Sequence, residues 1–406
     1  MNKTFLLVAD PGAPHWIVSG IGGALQNALD EYSRLLGQSL SVRPTVYVSY
    51  APGEPHAMPW YHGDVLNYGT VRLSFVGKPW LYASSAASNL VDVQLFIAHE
   101  AFHFWDGGIK SEQIEPNDSW LEEGGAQLAA LLTAERAGWL SSGDFLSRLN
   151  GNLQRCLLET GDRPWAALVS GQIGGSIYYD CGVTFNFMAA ALRDPVQPKQ
   201  GFFNLWGQLL RVEQPEYSTA DFLRIATHGP RSDTAKNLEQ ALAGTAGSLS
   251  DPIERLFTAL KIPVSAAGDS ARLDIPVSAV LQAFLLPLLG SACGQQNRLG
   301  FWTQKDFIKV DVPMQCKAFA RTKLLVGVGD FKLSDSPLAT WHEAFAECSD
   351  KGAVEFKTLQ GKSLSVPCRA AIPRPPLWLL SLERYRAASN LKSPTSAVSS
   401  PATKEG

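Results

Sequence analysis

The sequence has no excess of charge of either sign, since its 35 Lys and Arg residues face 38 Asp and Glu residues among 406. The net charge of −3 argues against a binder of nucleic acid or of an anionic membrane, because either function needs a strongly basic face. Charged residues make up only 18% of the chain and hydrophobic residues 45%. That mixture is typical of a globular protein with a large core, and it excludes a disordered, collagenous or coiled-coil chain.

Cysteine pairs and long apolar runs are also scarce. None of the six cysteines stands in a Cys-x-x-Cys pair, which argues against a structural zinc finger. Four of them follow residue 290, where one or two disulfides can form if the compartment is oxidising. Residues 5–9 are too short an apolar run for a signal peptide or a membrane span. Residues 275–293 are apolar but include Pro276, Gln282 and Pro287, which favours a buried helix over a membrane helix.

The spacing of apolar residues predicts an α+β chain. Alternation predicts three strands, at residues 4–9, 44–50 and 69–77, the last of them an edge strand. Helical spacing occurs at residues 20–40 and 88–105, and Gly107 and Gly108 are expected to end the second helix. Residues 118–270 are predicted to be helical, and residues 293–373 to form short strands and one helix. Residues 387–406 are rich in Ser, Pro, Ala and Thr, which predicts a disordered tail.

One motif carries metal chemistry, the run His-Glu-Ala-Phe-His at residues 99–103. Helix residues four apart share one face, so His99 and His103 can bind one ion, and neutral imidazole suits Zn²⁺. Glu100 can then accept a proton from the attacking water. Asp92 and Asp106 flank this zinc helix, and either could orient a ligand histidine. The motif alone also occurs by chance, so it needs support from elsewhere in the chain.

A second motif offers a third ligand. Residues 120–126 read Trp-Leu-Glu-Glu-Gly-Gly-Ala, and a carboxylate in this segment would complete a His₂Glu catalytic zinc site. With His-Glu-x-x-His and a downstream Glu, the chain resembles the gluzincin metallopeptidases. Trp-Leu-x-Glu-Gly resembles the form found in the glycyl aminopeptidase and aminopeptidase N-like families. That resemblance implies Glu123, directly before Gly124, as the ligand, while the commonest spacing in the aminopeptidase N-like family selects Glu122.

A third motif, Ile-Tyr-Tyr-Asp-Cys-Gly at residues 177–182, opens an apolar helix. In the same families a Tyr three residues before such a Gly donates a hydrogen bond to the oxyanion, which implies this role for Tyr179. The alternative is that Tyr178 and Tyr179 only pack the helix. The order of motifs implies a thermolysin-like zinc peptidase domain over residues 1–270, with a small mixed sheet and a mostly helical subdomain.

The strand at 69–77 departs from the aminopeptidase N-like pattern. That family has Gly-x-Met-Glu-Asn at this point, with a Glu that binds the substrate amine, and alignment on Gly69 puts Arg72 at the position of the Glu. A cation would repel an ammonium and attract a carboxylate, so we expect Arg72 to bind substrate and blocked peptides to be cleaved at least as well as free-amine ones. The alternative is a solvated Arg72 that protects a sheet edge.

Residues 290–375 resemble a PDZ domain, joined to the peptidase domain by an apolar helix at 271–289. Leu-Gly-Phe at 299–301 resembles the loop whose backbone N–H groups hold a peptide C-terminus, which implies that Gly300 binds substrate. A PDZ domain after the zinc domain favours the glycyl aminopeptidase family. Any other small β domain would also suit short strands with glycine turns.

These motifs together predict a zinc-dependent peptidase that acts on peptide or protein substrates, without deciding between aminopeptidase and endopeptidase action. The alternative is a peptide-binding or scaffolding protein that uses the PDZ-like module beside a silent zinc site, although the intact ligands and Glu100 argue against it. We expect no nucleic-acid partner and no transmembrane segment. The resemblance implies the bacterial envelope or periplasm if the N-terminus continues upstream of Met1, and otherwise the cytoplasm.

Overall fold

A computed structural model describes most of the chain. The described residues are 4–40, 42–53, 60–66, 69–82, 87–109, 118–161, 163–170, 176–212, 217–228, 232–243, 248–265, 277–293, 300–311, 323–369, 372, 374–375 and 378–379. The tail predicted at 387–406 lies outside these residues. The described part is a mixed α and β protein, which confirms the predicted α+β class at that level.

The N-terminal part forms a four-stranded sheet against one long helix. Its elements are β1 (Leu6–Ala9), α1 (His15–Leu36), β2 (Thr45–Ala51), β3 (Trp60–Leu66) and β4 (Thr70–Val76). The strand order is β1-β2-β4-β3, with β1, β2 and β4 parallel and β3 antiparallel to β4. The three predicted strands are confirmed, but the prediction that 69–77 is an edge strand is wrong, because β3 pairs along its outer side.

A helical region follows a short 3-10 helix at Lys78–Leu81. Its helices are α2 (Ala87–Ile109), α3 (Ser119–Arg136), α4 (Ser142–Thr160), α5 (Trp165–Ser170), α6 (Ser176–Arg193), α7 (Pro198–Leu209), α8 (Thr219–Thr227), α9 (Ser232–Ala243) and α10 (Ser250–Ala259). The helical character predicted for 118–270 is confirmed for the described residues up to the end of α10, but it is wrong at Val264–Ser265, which form a short strand. The prediction that Gly107 and Gly108 end the zinc helix is wrong, because α2 continues through both to Ile109.

The C-terminal part is mostly antiparallel strands. Its elements are β5 (Val264–Ser265), α11 (Val277–Cys293), β6 (Gly300–Thr303), β7 (Ile308–Asp311), β8 (Lys323–Val328), β9 (Phe331–Lys332), α12 (Pro337–Lys351), β10 (Ala353–Thr358), β11 (Ser363–Pro367) and β12 (Trp378–Leu379). One sheet has the order β11-β10-β8-β7-β6 with β9 beside β8, and β12 pairs with β5. The short strands and the helix agree with the sequence pattern, while likeness to a PDZ domain stays a prediction.

Two hydrophobic cores divide the described residues. The first contains buried side chains from Phe5 to Ile262, and the second contains buried side chains from Val280 to Ile372. Helix α11 belongs to the second core, where Phe284 stacks on Trp341, so the prediction of a buried helix is confirmed. Within the described residues, no helix combines the length and apolar character that crossing a membrane requires. The domain limits at 270 and 290 stay predictions.

Two described disulfides tie helices to their neighbours. Cys156 on α4 is bonded to Cys181 on α6, inside the first core, and Cys348 on α12 is bonded to Cys368 just after β11. The sequence allows a pair after residue 290, and Cys348–Cys368 is such a pair. The link between α4 and α6 does not follow from the sequence, because cysteine spacing alone carries no information about which helices pack together.

Candidate metal centre

Helix α2 presents the first two candidate ligands because one of its faces is buried. Val93, Ile97 and Ala101 lie in the first core and are almost fully buried. The Tyr32 hydroxyl of α1 donates a hydrogen bond of 3.0 Å to the Ala98 carbonyl, which holds α2 against α1. Residues four apart on the other face then point the same way, and these are His99 and His103.

The third candidate ligand is brought in by a close crossing of α3 and α6. A Cβ atom on Gly124 would stand 2.2 Å from the backbone of Gly182, and a Cβ on Gly182 would stand 2.3 Å from the Trp120 carbonyl oxygen. Only glycine allows the two backbones to approach so closely. Glu123 directly precedes this crossing on α3, and Tyr179 lies three residues before it on α6, so one contact positions both.

The three candidate ligands meet with spacing suited to one metal ion. His99 Nε2 and His103 Nε2 are 3.1 Å apart, and Glu123 Oε2 lies 3.3 Å from the first and 3.8 Å from the second. Bonds of about 2.0–2.1 Å in a tetrahedral site separate neighbouring ligand atoms by about 3.3–3.4 Å. Two imidazole nitrogens and one carboxylate also match the donor set of catalytic zinc sites, so these residues fit Zn²⁺.

The two adjacent glutamates differ in their charge. Burial alone raises the pKa of Glu123, but hydrogen bonds with His99 and Tyr179 and the charge of His103 lower it to about 2. For Glu122, burial together with Asp106 and Glu123 outweighs His103 and raises the pKa to about 8. Glu123 is therefore ionised at neutral pH and Glu122 is not. Within the described residues, the ligand cluster includes Glu123 and leaves Glu122 out.

Asp106 contacts His103 at Nδ1, the ring nitrogen that does not face His99. Its Oδ1 atom lies 3.0 Å from His103 Nδ1, and its side chain is fully buried. Burial lowers the pKa of His103, but Asp106, Glu123 and Glu100 raise it to about 10. Since a metal ion binds the neutral imidazole, metal and proton compete for His103. Both aspartates that the sequence places beside the motif lie within α2; Asp106 contacts a histidine, whereas Asp92 bonds to an arginine.

Tyr179 lies over the cluster. Its ring stacks on His99 with centroids 5.7 Å apart, and its side chain is two-fifths exposed. Its hydroxyl hydrogen-bonds Glu123, and the pKa of Tyr179 is raised by burial and by that carboxylate. A phenol in this environment keeps its proton and can donate it to a negatively charged oxygen. The neighbouring Tyr178 packs against the first core instead.

Glu100 lies where α2 meets the antiparallel strand β3. A Cβ on Gly63 would stand 2.7 Å from the Glu100 carboxyl carbon and 2.6 Å from the Phe96 ring, so a larger residue at this point would require these side chains to move. Burial raises the pKa of Glu100, although His99 and His103 counteract it. A raised pKa brings a carboxylate closer to neutral pH, which is what proton transfer in catalysis favours.

A cavity of about 310 Å³, which we call the site cavity, opens beside this cluster. Its wall comprises Tyr61, His62, Gly63, Asp92, Leu95, Phe96, His99, Glu100, Gln127, Arg148 and Tyr179. The sequence identifies only His99, Glu100 and Tyr179 of these as site residues. The others cannot be assigned from it, because β3 is not predicted and because Gln127 and Arg148 belong to helices that reach the cavity only through tertiary packing.

Arg72, which the sequence assigns to substrate binding, does not lie on the edge strand that the sequence predicts. Arg72 lies on β4, where β3 separates it from the sheet edge, and its register partner on β3 is Asp64. Its guanidinium binds the Asp64 carboxylate through two hydrogen bonds of 3.0 and 2.6 Å on an exposed face. Arg72 is not among the residues of the site cavity. Substrate binding by Arg72, and cleavage of blocked peptides at least as well as free-amine ones, stay predictions from the sequence.

Gly300 is the first residue of β6, far along the chain in the second sheet. Strand β6 is at the end of that sheet among the described strands. A Cβ on Gly300 would stand 2.4 Å from the Trp302 ring, which explains a glycine at this point. The preceding residues of the predicted carboxylate-binding loop lie outside the described residues, so a role for Gly300 in binding stays a prediction.

Comparisons with known proteins agree on the fold alone. No protein-family model and no curated protein matches the sequence. The crystal structure of an aminopeptidase N family protein from Idiomarina loihiensis aligns with a TM-score of 0.50 and 12% identity, over 94% of this chain and 68% of that one. Legionella pneumophila aminopeptidase A aligns with a TM-score of 0.40 and 14% identity, over 60% of this chain and 26% of that one. The first alignment shows a fold similar to that of an aminopeptidase N family protein.

Proposed function

We propose that this protein is a zinc-dependent peptidase whose metal is held by His99, His103 and Glu123. The observation that carries the proposal is the meeting of these three ligand atoms within 4.8 Å of one another beside the buried carboxylate of Glu100. Zinc bound there supplies a Lewis acid that polarises a carbonyl and lowers the pKa of water. The likeness in fold to an aminopeptidase N family protein supports the same interpretation.

The residues around the cluster suit the remaining steps of peptide hydrolysis. Glu100 accepts the proton of the attacking water and passes it to the leaving amine. Tyr179 donates a hydrogen bond to the oxygen on which negative charge develops, a contribution of about 3–4 kcal/mol in comparable sites. Strand β3 is at the edge of its sheet among the described strands, beside Glu100, so an extended peptide can pair with its backbone.

The PDZ-like module and the compartment are further parts of this proposal. An edge position of β6 supports strand addition by a peptide there, as the resemblance to the glycyl aminopeptidase family implies. The two described disulfides support an oxidising compartment, such as the bacterial envelope. A purely scaffolding protein would not need Glu100 buried beside an ordered set of metal ligands, so we place that alternative second.

The experiment compares the wild-type protein with Glu100→Gln. The amide keeps the size of the side chain but cannot accept the proton of water, so turnover of a peptide mixture should fall by at least about a thousandfold while zinc content stays equal. Glu239→Gln, on the exposed surface of α9, is the matched control and should behave as wild type. Undiminished turnover in Glu100→Gln would contradict the proposed mechanism, and absence of any cleavage by the wild type would contradict the peptidase function.

A further inference from the structure

An ion pair in the wall of the site cavity has no part in the steps above. Asp92 on α2 and Arg148 on α4 are joined by one hydrogen bond of 2.7 Å between Arg148 Nη2 and Asp92 Oδ1. Their side chains are 42% and 39% exposed. An ion pair so exposed contributes only about 0–1 kcal/mol to stability, so stability alone does not account for its position beside the candidate metal centre.

Most N–H donors of the Arg148 guanidinium form no hydrogen bond with a described residue. An arginine offers five N–H groups in a planar fork, and among the described residues the only acceptor bonded to this one is Asp92 Oδ1. The bond to Asp92 uses one N–H of Nη2 and fixes the orientation of the fork, which leaves the second Nη2 N–H together with the Nε and Nη1 N–H groups for another partner. The natural partner for such a fork is a carboxylate, which accepts two parallel hydrogen bonds from it.

Arg148 also stands between two cavities. Beyond the site cavity, a second cavity of about 490 Å³ is bounded by α3 and α4, with Val91, Trp139 and Asn152 in its wall. Gln127 and Arg148 belong to the walls of both cavities, so the two adjoin at these side chains. A peptide that extends from the candidate metal ligands toward the second cavity would therefore lie beside Gln127 and Arg148.

The other charged groups in the wall of the second cavity already have partners. Arg155, in the wall of the second cavity, binds the buried carboxylate of Asp180 at 2.9 Å. Asp144 accepts a hydrogen bond of 2.6 Å from Ser141 at the start of α4. Arg148 is therefore the cation in this wall whose bonding to described residues leaves most of its donors available. The aromatic rings of Tyr61 and Phe96, 4.7 Å apart, form an apolar wall of the site cavity.

We propose that Arg148, oriented by Asp92, is a specificity-determining residue that binds a carboxylate of the peptide substrate. The inference rests on the proposed peptidase function, because it assigns a role in substrate choice at the same site. The carboxylate can belong to an acidic side chain near the cut or to the C-terminus of a short substrate. Both have the same chemistry, so the experiment must separate them.

The test starts from one acetylated and amidated peptide that the wild type cleaves at a known bond. The peptide is remade with Glu, Gln or Lys at each of the two positions on either side of the cut, and once with a free C-terminal carboxylate. We expect one acidic placement or the free carboxylate to raise kcat/KM by at least tenfold over the neutral peptide, mainly through KM. A preference confined to Glu identifies the side chain as the source, and one confined to the free carboxylate identifies the terminus.

The variants Arg148→Gln and Asp92→Asn then assign the preference. Arg148→Gln should abolish it and leave cleavage of the neutral peptide within about threefold of wild type, whereas Asp92→Asn should keep it in weakened form. Arg224→Gln is the control, since Arg224 pairs with Asp221 on the exposed face of α8 and is in the wall of neither cavity. A preference that survives in Arg148→Gln, no charge preference in the wild type, or a preference for Lys that Asp92→Asn removes would each overturn the proposal.

A binding measurement separates this inference from the proposed function. The Glu and Gln peptides are titrated into Glu100→Gln protein by calorimetry, which needs no turnover. Binding of an acidic or free-carboxylate peptide at least tenfold tighter than the neutral one, lost in Glu100→Gln/Arg148→Gln, supports the role of Arg148 even if the wild type cleaves nothing. Equal binding of all peptides overturns it, whether or not the protein is a peptidase.

Discussion

The hydroxyl of Tyr179 can be removed by mutation without removing a candidate metal ligand or the aromatic ring that stacks on one. Its ring stacks on His99 and its hydroxyl hydrogen-bonds Glu123, so it touches two candidate ligands without being one. The neighbouring Tyr178 has the same chemistry but packs against the core. The two tyrosines therefore form a natural pair of test and control.

We expect Tyr179→Phe to lower kcat by about 10²–10³, the range measured when one donor to an oxyanion is removed. Zinc content and KM should change little, because all three ligands and the ring remain. Tyr178→Phe should retain kcat within a few-fold of wild type. Steady-state kinetics with parallel metal analysis decide the matter, and an equal kcat for Tyr179→Phe and wild type would leave the tyrosine with only a packing role.

Among the single residues of the site, those of the His-Glu-x-x-His motif could be predicted from the sequence, because they lie within five consecutive residues. His99, Glu100 and His103 need only a helix to share one face. The sequence does not decide which of Asp92 and Asp106 contacts a ligand histidine. In the structure it is Asp106, three residues after His103 on the same helix. Arg148 carries no local signal, because only the packing of α4 against α6 and α3 brings it to the cavity.

At the scale of elements, the crossing of α3 and α6 holds the site together. Gly124 and Gly182 let the two backbones touch, and Trp206 packs directly on Gly125 beside them. The Trp-Leu-x-Glu-Gly pattern thus has a physical reason: the glycine after the ligand sets the distance between the helix that carries Glu123 and the helix that carries Tyr179.

We expect Gly124→Ala to lower the free energy of unfolding by about 3 kcal/mol, at the upper end of the cost of overpacking a core. The methyl group would overlap the Gly182 backbone, and backbone cannot rotate away as a side chain does. The variant should also lose zinc affinity, because α3 must shift. Gly23→Ala is the matched control: no atom lies within 4 Å of its Cβ, so this helical site should gain about 0.5–1 kcal/mol.

Denaturant unfolding with metal titration compares these two variants. Unchanged stability and zinc affinity in Gly124→Ala would show that the helices can separate without cost, and the crossing would then have no role in positioning the ligand. The same measurement on Gly182→Ala should reproduce the loss, because its Cβ would meet the Trp120 carbonyl oxygen from the other side of the crossing.

The elements that cannot be predicted from the sequence share one cause. Strand β3 reads Trp-Tyr-His-Gly-Asp-Val-Leu, in which the glycine that clears Glu100 also weakens the strand pattern. Helix α2 passes through Gly107 and Gly108, although each glycine costs about 1 kcal/mol relative to alanine in a helix. In both places glycine weakens the local sequence pattern of an element that the structure nevertheless contains.

At the scale of the molecule, two cores share one chain. The candidate metal centre belongs entirely to the first, while the second core gathers α11, α12 and the second sheet. Arg374 reaches back from the second part to Asp251 and Glu254 on α10, and β12 pairs with β5. The change in sequence pattern near residue 290 indicates a second part of the chain, but it gives no sign of these contacts between the two parts.

The central claim is that His99, His103 and Glu123 hold one zinc ion, and metal content of purified variants tests it most directly. The wild type should contain one zinc per chain, and His99→Ala, His103→Ala and Glu123→Gln should each lose most of it, because three protein ligands are the least that a catalytic zinc site keeps. Glu122→Gln, one residue away and outside the ligand cluster, should retain it. Stoichiometric zinc in all three ligand variants, or its loss in Glu122→Gln with retention in Glu123→Gln, would contradict this assignment of the ligands.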